Sequence, residues 1–378
     1  MATNVFGEMT DLPYEMAAAI AESMLEHAAG ADQRELERYE ALERRQERWA
    51  KLDLNAHDVS VFWGLFTELF GRFVSIRQFC SKIGFIPQVL DRLWLRYGPE
   101  LAERHISPLD ILMLCNWLAE HPSFDNIALA FGCSRSQAHK VVLNTLYQLW
   151  ELLDEISWYP LVWHPAESMV VEGSLFNNVT FVLDGIECKI AKPVDRRDEE
   201  SYYSTKKGAH SIKYQTATNI SSGRLMYYSG GIPGAIHDRT LLKHSTLPHI
   251  IPEGQYGLAD KGYECLYPNQ LLYLLKPSKP EAGHPLAHVK SFTFEERLYN
   301  RCISALRIEV ERVNGRLKRF AILEEYRTRC KLSHHVVFGV ICNLVNIWME
   351  LCPMRRAEHP LMSECPVARP ERSFRGLP

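Results

Sequence analysis

Twice in this chain a short apolar run of β character ends on an aspartate with a glycine within two residues. Thr180-Phe181-Val182-Leu183 runs into Asp184-Gly185, and Tyr256 to Ala259 runs into Asp260-Lys261-Gly262. α/β sheets commonly place their sites at the carboxyl ends of strands. One Asp-Gly after a strand is an ordinary turn; two in the same format raise the expectation that the carboxylates meet. Between them, Ile212, Tyr214, Thr216 and Thr218 alternate as in a half-buried strand, Ser222-Gly223 turns, and Leu225 to Tyr228 returns. Gly230, Gly231, Pro233 and Gly234 read as a loop, His237-Asp238 starts a helix, and helices follow from about Thr293. Strands first, with helices around and after them, indicate an α/β domain over residues 170–352.

The upstream part reads as helical. Ser107-Pro108 is an N-cap followed by a first-turn proline, and Leu109, Leu112, Met113 and Trp117 form one apolar face. Ser123 opens a short helix carrying Ile127, Ala128 and Phe131, which Gly132 ends. Ser134 caps a third helix with Ala138, Val141, Val142 and Leu149 inward. Two helices, a tight glycine turn and a third helix make a helix-turn-helix over residues 101–155. Arg135, Ser136, His139 and Lys140 lie early on its third helix, where such motifs contact DNA. The bland reading is a plain three-helix bundle, and the pattern alone leaves both open. Residues 1–100 form a helical region of unknown role, with Glu and Arg at helical spacings from Arg34 to Lys51. Residues 353–378 read as a flexible tail.

A third element carries charge. From Arg307 to Phe320 the chain reads Arg-Ile-Glu-Val-Glu-Arg-Val-Asn-Gly-Arg-Leu-Lys-Arg-Phe. On a helix, Arg307, Glu311, Gly315 and Lys318 share a face. Glu309 and Glu311 point about 200° apart, so only one can join the aspartates, and Glu311 shares the face with the cations. A glycine inside a helix lets a partner surface approach, at ~1 kcal/mol against alanine. Two Asp and one Glu in one place repel unless a cation sits among them. Oxygen ligands select Mg²⁺ or Mn²⁺, and two such ions suit in-line attack on a phosphodiester. A carboxylate pair also serves glycosidases. Lys189, Lys206, Lys207, Arg312, Arg316, Lys318 and Arg319 argue for a polyanionic substrate instead.

Charge placement agrees. Net charge is −3, yet residues 297–331 hold 10 basic and 4 acidic side chains, while residues 1–53 hold 12 acidic and 6 basic. A basic stretch in a near-neutral protein points to an anionic partner or to a solvated helix face. With 46% hydrophobic and 24% charged residues, the chain has the composition of a globular protein with a sizeable core. The first 33 residues carry no Lys or Arg, which argues against a secretory or Arg-rich transit peptide. No apolar run reaches a membrane span; Val336 to Met349, with Asn343 and Asn346, reads as a buried helix. Ten cysteines with no CxxC pair read as free thiols rather than a zinc site or a disulfide framework.

Taken in order, Phe-Val-Leu-Asp184-Gly, Ser204-Thr-Lys-Lys-Gly208, Gly231-Ile-Pro-Gly-Ala-Ile-His237-Asp238, Leu258-Ala-Asp260-Lys-Gly-Tyr263, Glu311-Arg-Val-Asn-Gly-Arg-Leu-Lys318 and Cys342-Asn343 form a pattern. It resembles the DDE transposases of the Harbinger/PIF type, related to bacterial insertion-sequence transposases, and the nucleases domesticated from them. The resemblance covers roughly residues 105–351. It implies an RNase H-like catalytic domain, a mixed sheet flanked by helices, preceded by an all-α helix-turn-helix region. It implies a two-metal endonuclease and strand-transfer activity, with Asp184, Asp260 and Glu311 as triad and ligands. Arg307 and Lys318 would contact DNA phosphates, beside Arg135, His139 and Lys140 in the upstream motif, with His237 and Asp238 supporting. Implied partners are double-stranded DNA such as transposon terminal repeats, a separate Myb-like protein and a second copy of the chain, with no membrane. The implied place is the nucleus, or the cytoplasm of a prokaryote. Two positions depart from the family pattern: Ser304 stands where a tyrosine is expected, and Asn314 where a phenylalanine is common. The competing reading is a non-catalytic DNA-binding protein that keeps only the helix-turn-helix.

Overall fold

The apolar run ahead of Asp184 becomes strand β1 (Val179–Ile190), the spine of a seven-stranded mixed sheet. Val179, Phe181, Val182 and Leu183 are all buried, as expected of a strand covered on both faces. The computed structural model describes residues 60–71, 75–156, 179–220, 222–252, 255–263, 271–273, 294–327 and 332–352. The chain divides between Val59 and Ser60, and every described residue belongs to the second unit. The Arg34–Lys51 helix and the tail from residue 353 lie outside the described residues.

On one side β1 pairs antiparallel with β3 (Ala209–Asn219), which pairs antiparallel with β4 (Leu225–Pro233) and with the short β2 (Tyr203–Ser204). On the other side β1 runs parallel to β5 (Tyr256–Ala259), and β5 parallel to β6 (Leu271–Tyr273). The two-residue β7 (Glu325–Tyr326) adds parallel to the far end of β1. The hairpin expected around Ser222-Gly223 is present, but β4 is longer than its sequence signals. It continues through Gly230 and Gly231 to Pro233 by register shifts, with Gly230 at φ 125° against the backbone of Lys213 and Tyr214. Bulges let a strand absorb glycines that would otherwise read as a loop. β3 also differs from its reading as half-buried: eight successive residues from Ser211 to Thr218 are buried. The Tyr214 side stacks against Phe338 at 3.8 Å, and the Ala217 side joins a cluster with Phe181, Leu183, Leu242 and Leu247.

Helices α1 (Val61–Phe70), α2 (Ile76–Ile83) and α3 (Pro87–Glu103) precede α4 (Pro108–Glu120), α5 (Phe124–Phe131) and α6 (Arg135–Leu152). The caps are those the sequence signals. Ser107 and Asp110 close a capping box, Ser123 and Ser134 accept from the third residue of their helices, and Gly132 ends α5 at φ 65°. α4 is buried over Ile111–Ala119, so it is the centre of the helical layer rather than a one-faced helix. Three short helices follow in the sheet region, α7 (Arg196–Tyr202), α8 (Asp238–Lys243) and α9 (Leu247–Ile250). The chain then forms α10 (Phe294–Leu317), α11 (Ala321–Glu324) and α12 (Leu332–Leu351).

α12 joins the two layers, packing on α3, α6 and β4. Gly339 faces the Trp150 ring and the Tyr228 hydroxyl so closely that any Cβ would collide with both. The Asn346 amide accepts from Leu225 N–H at 2.8 Å and donates to the carbonyls of Leu225 and Glu155, satisfying backbone groups that the core would otherwise strand. By length and composition α12 passes as membrane-spanning, but most of it is buried within the protein, and its polar side chains are bonded there.

Candidate active site

Parallel pairing sets the two aspartates level. Val182 pairs with Leu258, so Asp184 and Asp260 are each two residues further on and stand side by side. The first strand does not end at its aspartate as its sequence signals, because pairing with β3 carries β1 on to Ile190, and only Asp260 follows a strand end. Gly257 allows this approach, since a Cβ there would strike the Phe181 ring. Asp184 is largely buried and Asp260 about half exposed, its side chain at 51%. Burial pushes the Asp184 carboxyl above the ordinary carboxylate range. The Arg307 guanidinium and the Gly185 backbone N–H pull it down, and the charges of Asp260 and Asp238 push it up again.

α10 lays two donors across this edge. Arg307 Nη1 reaches Asp260 Oδ1 at 3.4 Å, and Asn314 Nδ2 donates to Asp184 Oδ2 at 2.7 Å. They are seven residues apart, close to two full turns, so both lie on the helix face that meets the sheet. Glu311 lies between them in sequence but is rotated toward solvent and exposed, as are Gly315 and Lys318. A Cβ at Gly315 would meet nothing within 4 Å, so no described surface of this chain uses the close approach that a helical glycine allows. The Glu309 side chain lies outside the described residues.

Asp238 approaches from the other face of the sheet. Its Oδ1 lies 3.1 Å from where a Gly185 Cβ would stand, so a side chain there would press on Asp238. Lys213 Nζ holds Asp238 at 3.2 Å and Glu187 at 3.6 Å, and donates to the Ile236 carbonyl at 2.6 Å. Lys213 and Glu187 are both nearly fully buried, so each is neutralised within this network. His237 is the N-cap of α8, its Nδ1 accepting from Arg239 N–H at 3.2 Å. The Tyr263 phenol is buried at the same edge. Burial raises its pKa well above the ordinary value, with Asp238, Asp184 and Asp260 adding to the effect.

The structure thus brings together Asp184, Asp260 and Arg307, with Asp238 close by across the sheet. Glu311 and Lys318 stand on the exposed part of the same helix. Arg135, His139 and Lys140 are exposed on α6. Arg135 pairs with Asp125 at 3.7 Å, and the His139 ring meets Phe124 edge-on at 4.7 Å. Among the described residues no three Asp, Glu, His or Cys side chains converge to hold an ion. The oxygens present nevertheless suit a hard divalent cation. Two carboxylates stand level, and beside them the Asn314 amide oxygen is buried with no hydrogen-bond partner among the described residues. Such an orphan costs ~1–3 kcal/mol, and carboxylate and amide oxygens are the donors Mg²⁺ and Mn²⁺ accept. Sequence reasoning did not assign Asn314, Lys213 or Tyr263 to the site. For Asn314 a signal exists, because it is seven residues after Arg307; Lys213 and Tyr263 arrive through tertiary packing.

Comparison with known proteins agrees with this geometry. Residues 183–346 match the family described as DDE superfamily endonuclease. The chain is 29% identical over 236 residues to a protein of Microchaete diplosiphon named as a probable transposase for insertion sequence element IS702, covering 62% of this chain and 76% of that one. No solved structure matches the chain significantly.

Proposed function

We propose that the edge holding Asp184 and Asp260 is the active site of a metal-dependent DNA endonuclease that acts as a transposase. One observation carries the reading. The parallel register β1–β5 sets two carboxylates level, one midway along β1 and one just past the end of β5, inside the segment that matches the DDE endonuclease family. The sheet order β4-β3-β1-β5-β6, with three antiparallel strands followed by two parallel ones, supports an RNase H-like domain.

Asp184 and Asp260 would hold two Mg²⁺ or Mn²⁺ ions, with Glu311 as third carboxylate carried by α10. Such ions supply a nucleophile at neutral pH and stabilise the leaving oxygen. In cleavage, a water oxygen forms a bond to phosphorus as the bond to the 3′ oxygen breaks; in strand transfer a 3′-hydroxyl takes the place of water. Arg307, paired with Asp260 at 3.4 Å, would leave it for a phosphate. Lys318, exposed near the end of the same helix, would hold a second phosphate. His237 and Asp238 support the edge by capping α8 and engaging Lys213.

Arg135, His139 and Lys140 on α6 would grip duplex DNA, with α5 and α6 as the helix-turn-helix. The likeness to an insertion-sequence transposase supports DNA as the substrate; terminal repeats as the target and a second copy of the chain as partner rest on the motifs. The Harbinger/PIF subtype, a Myb-like partner and a nuclear place rest on the motifs alone; a prokaryotic host would make the place cytoplasmic. The alternative, a DNA-binding protein without catalysis, has on its side the exposure of Glu311; the level pair of Asp184 and Asp260 favours the enzyme.

Purified protein with Mn²⁺ should nick plasmid DNA, and Asp184→Asn and Asp260→Asn should each abolish nicking while remaining folded. Undiminished nicking by both would remove the assignment. Arg135→Ala with Lys140→Ala should lower the salt dependence of binding to the element's ends by about two units of slope. An unchanged slope would leave the helical layer as scaffold only.

A further inference from the structure

We propose that Asn314 is a positioning residue for the acidic edge: its amide N–H fixes one oxygen of Asp184, so that the other is left facing the cation. This rests on the proposed function. The position departs from the family pattern, where a phenylalanine is common, so the role belongs to this chain rather than to the resemblance. Three observations carry it. Asn314 is 4% exposed, and its Nδ2 donates to Asp184 Oδ2 at 2.7 Å, a short bond to the side chain most central to the edge. Its Oδ1 is buried and has no partner among the described residues. A buried asparagine kept only for packing has no reason to leave an oxygen stranded, since leucine fills the same volume without that cost. Finally, Glu311 is exposed, and among the described residues Asn314 is the α10 side chain hydrogen-bonded to Asp184.

The geometry also explains selectivity between the two carboxylate oxygens. An ionised carboxylate is acceptor-only, with two equivalent oxygens that exchange places by rotation about its last bond. One side-chain N–H donor on Oδ2 breaks that equivalence and stops the rotation. Partners of this kind, one bond removed from the ion, commonly alter metal affinity about 10- to 100-fold when lost. Because α10 also carries Arg307 on Asp260, the helix sets both carboxylates at once.

The test compares the full-length wild type with Asn314→Leu, Asn314→Gln and Asp184→Asn. Mn²⁺ affinity is read from the loss of the free-ion spin-resonance signal, plasmid nicking is measured separately, and melting is followed without added metal. Expected is Mn²⁺ binding about 10- to 100-fold weaker for Asn314→Leu, with kcat for nicking down by a similar factor and KM for DNA unchanged. Its metal-free melting temperature should change little, because relief of the stranded Asn314 oxygen offsets the lost bond to Asp184. Asn314→Gln, which keeps the amide donor, should recover most of the affinity. Asn314→Leu binding Mn²⁺ like the wild type, with or without a lower melting temperature, would overturn the proposal while leaving the endonuclease reading intact. Wild-type protein that neither binds Mn²⁺ nor nicks DNA in an Asp184-dependent way would overturn both.

Discussion

Glu155 and Asp184 are both inward-facing carboxylates, and the protein treats them in opposite ways. Glu155, just after α6, is 4% exposed at its side chain and accepts from Arg96 Nη1, from Tyr97 Oη at 2.8 Å and from Arg224 Nη2 at 3.2 Å. Its own backbone N–H donates to Asn343 Oδ1 at 2.8 Å, and its carbonyl accepts from Asn346. Burial, and then the bond to Glu155 and its charge, push the Tyr97 phenol up to about 12. Asp184 accepts from neutral amides, those of Asn314 and the Gly185 backbone, and its neighbours Asp260 and Asp238 are like charges. A carboxylate supplied with every partner it can use is a rivet between α3, the β3–β4 hairpin and α12. A carboxylate left short of donors in a half-buried place keeps lone pairs for something else, at a cost to stability.

The contrast is sharpest in the neutral variants. Asp184→Asn should lower nicking on the order of 10³-fold or more. Its stability should move the other way. The raised pKa means that the native state holds this proton to higher pH than the unfolded chain, so the buried charge costs stability above that value. Asp184→Asn should therefore melt at or above the wild type at pH 7–8, and the gap should close below about pH 4, where an unfolded aspartate is itself protonated. Thermal melts across that range check the sign; a variant that melts lower at pH 8 breaks the comparison.

Glu155→Gln should do the reverse, losing about 2–3 kcal/mol with little direct effect on chemistry, because Arg224 loses its carboxylate and Arg96 keeps only Glu350. The loss sits at the low side for a buried pair, since Arg96 and Arg224 are each about one third exposed. Urea denaturation measures it, and a loss under about 0.5 kcal/mol would place Glu155 with ordinary surface pairs.

Gly315→Ala tests the open face of α10. With nothing near its Cβ, the change should stabilise the helix by up to ~1 kcal/mol. If DNA is what approaches that face, affinity for duplex should fall severalfold even as the protein becomes more stable. Stability and affinity rising together would assign the glycine to neither packing nor DNA.

The sequence made the acidic edge legible through local grammar: apolar run, Asp, Gly, twice over. The caps at Ser107, Ser123, Ser134 and Gly132 were legible for the same reason, since each acts within four residues. What the sequence hid is non-local. The continuation of β4 through Gly230 and Gly231 depends on β3 lying alongside, so glycines that locally spell a loop become bulges. The burial of Gln215, Thr216 and Thr218 depends on helices covering both faces of β3, which alternation by itself does not encode. Helical periodicity groups Arg307, Glu311, Gly315 and Lys318, of which the structure turns only Arg307 toward the aspartates and leaves the other three exposed. The packed stripe is rotated by part of a turn, onto Arg307 and Asn314, because Val310, Val313 and Leu317 are the residues buried beneath it.

The contact of Gly339 with Trp150 ties the far end of α6 to α12 without room for a methyl group. α12 is in turn bonded through Asn346 to the first residue of β4, two strands from Asp184. Little slack exists along that chain of contacts. If the proposed function holds, a duplex seated on α6 would lie at a fixed offset from the acidic edge, and the helical layer would act as a ruler: the distance from the recognised bases to the cut strand would be a length written into the packing of α6 on α12.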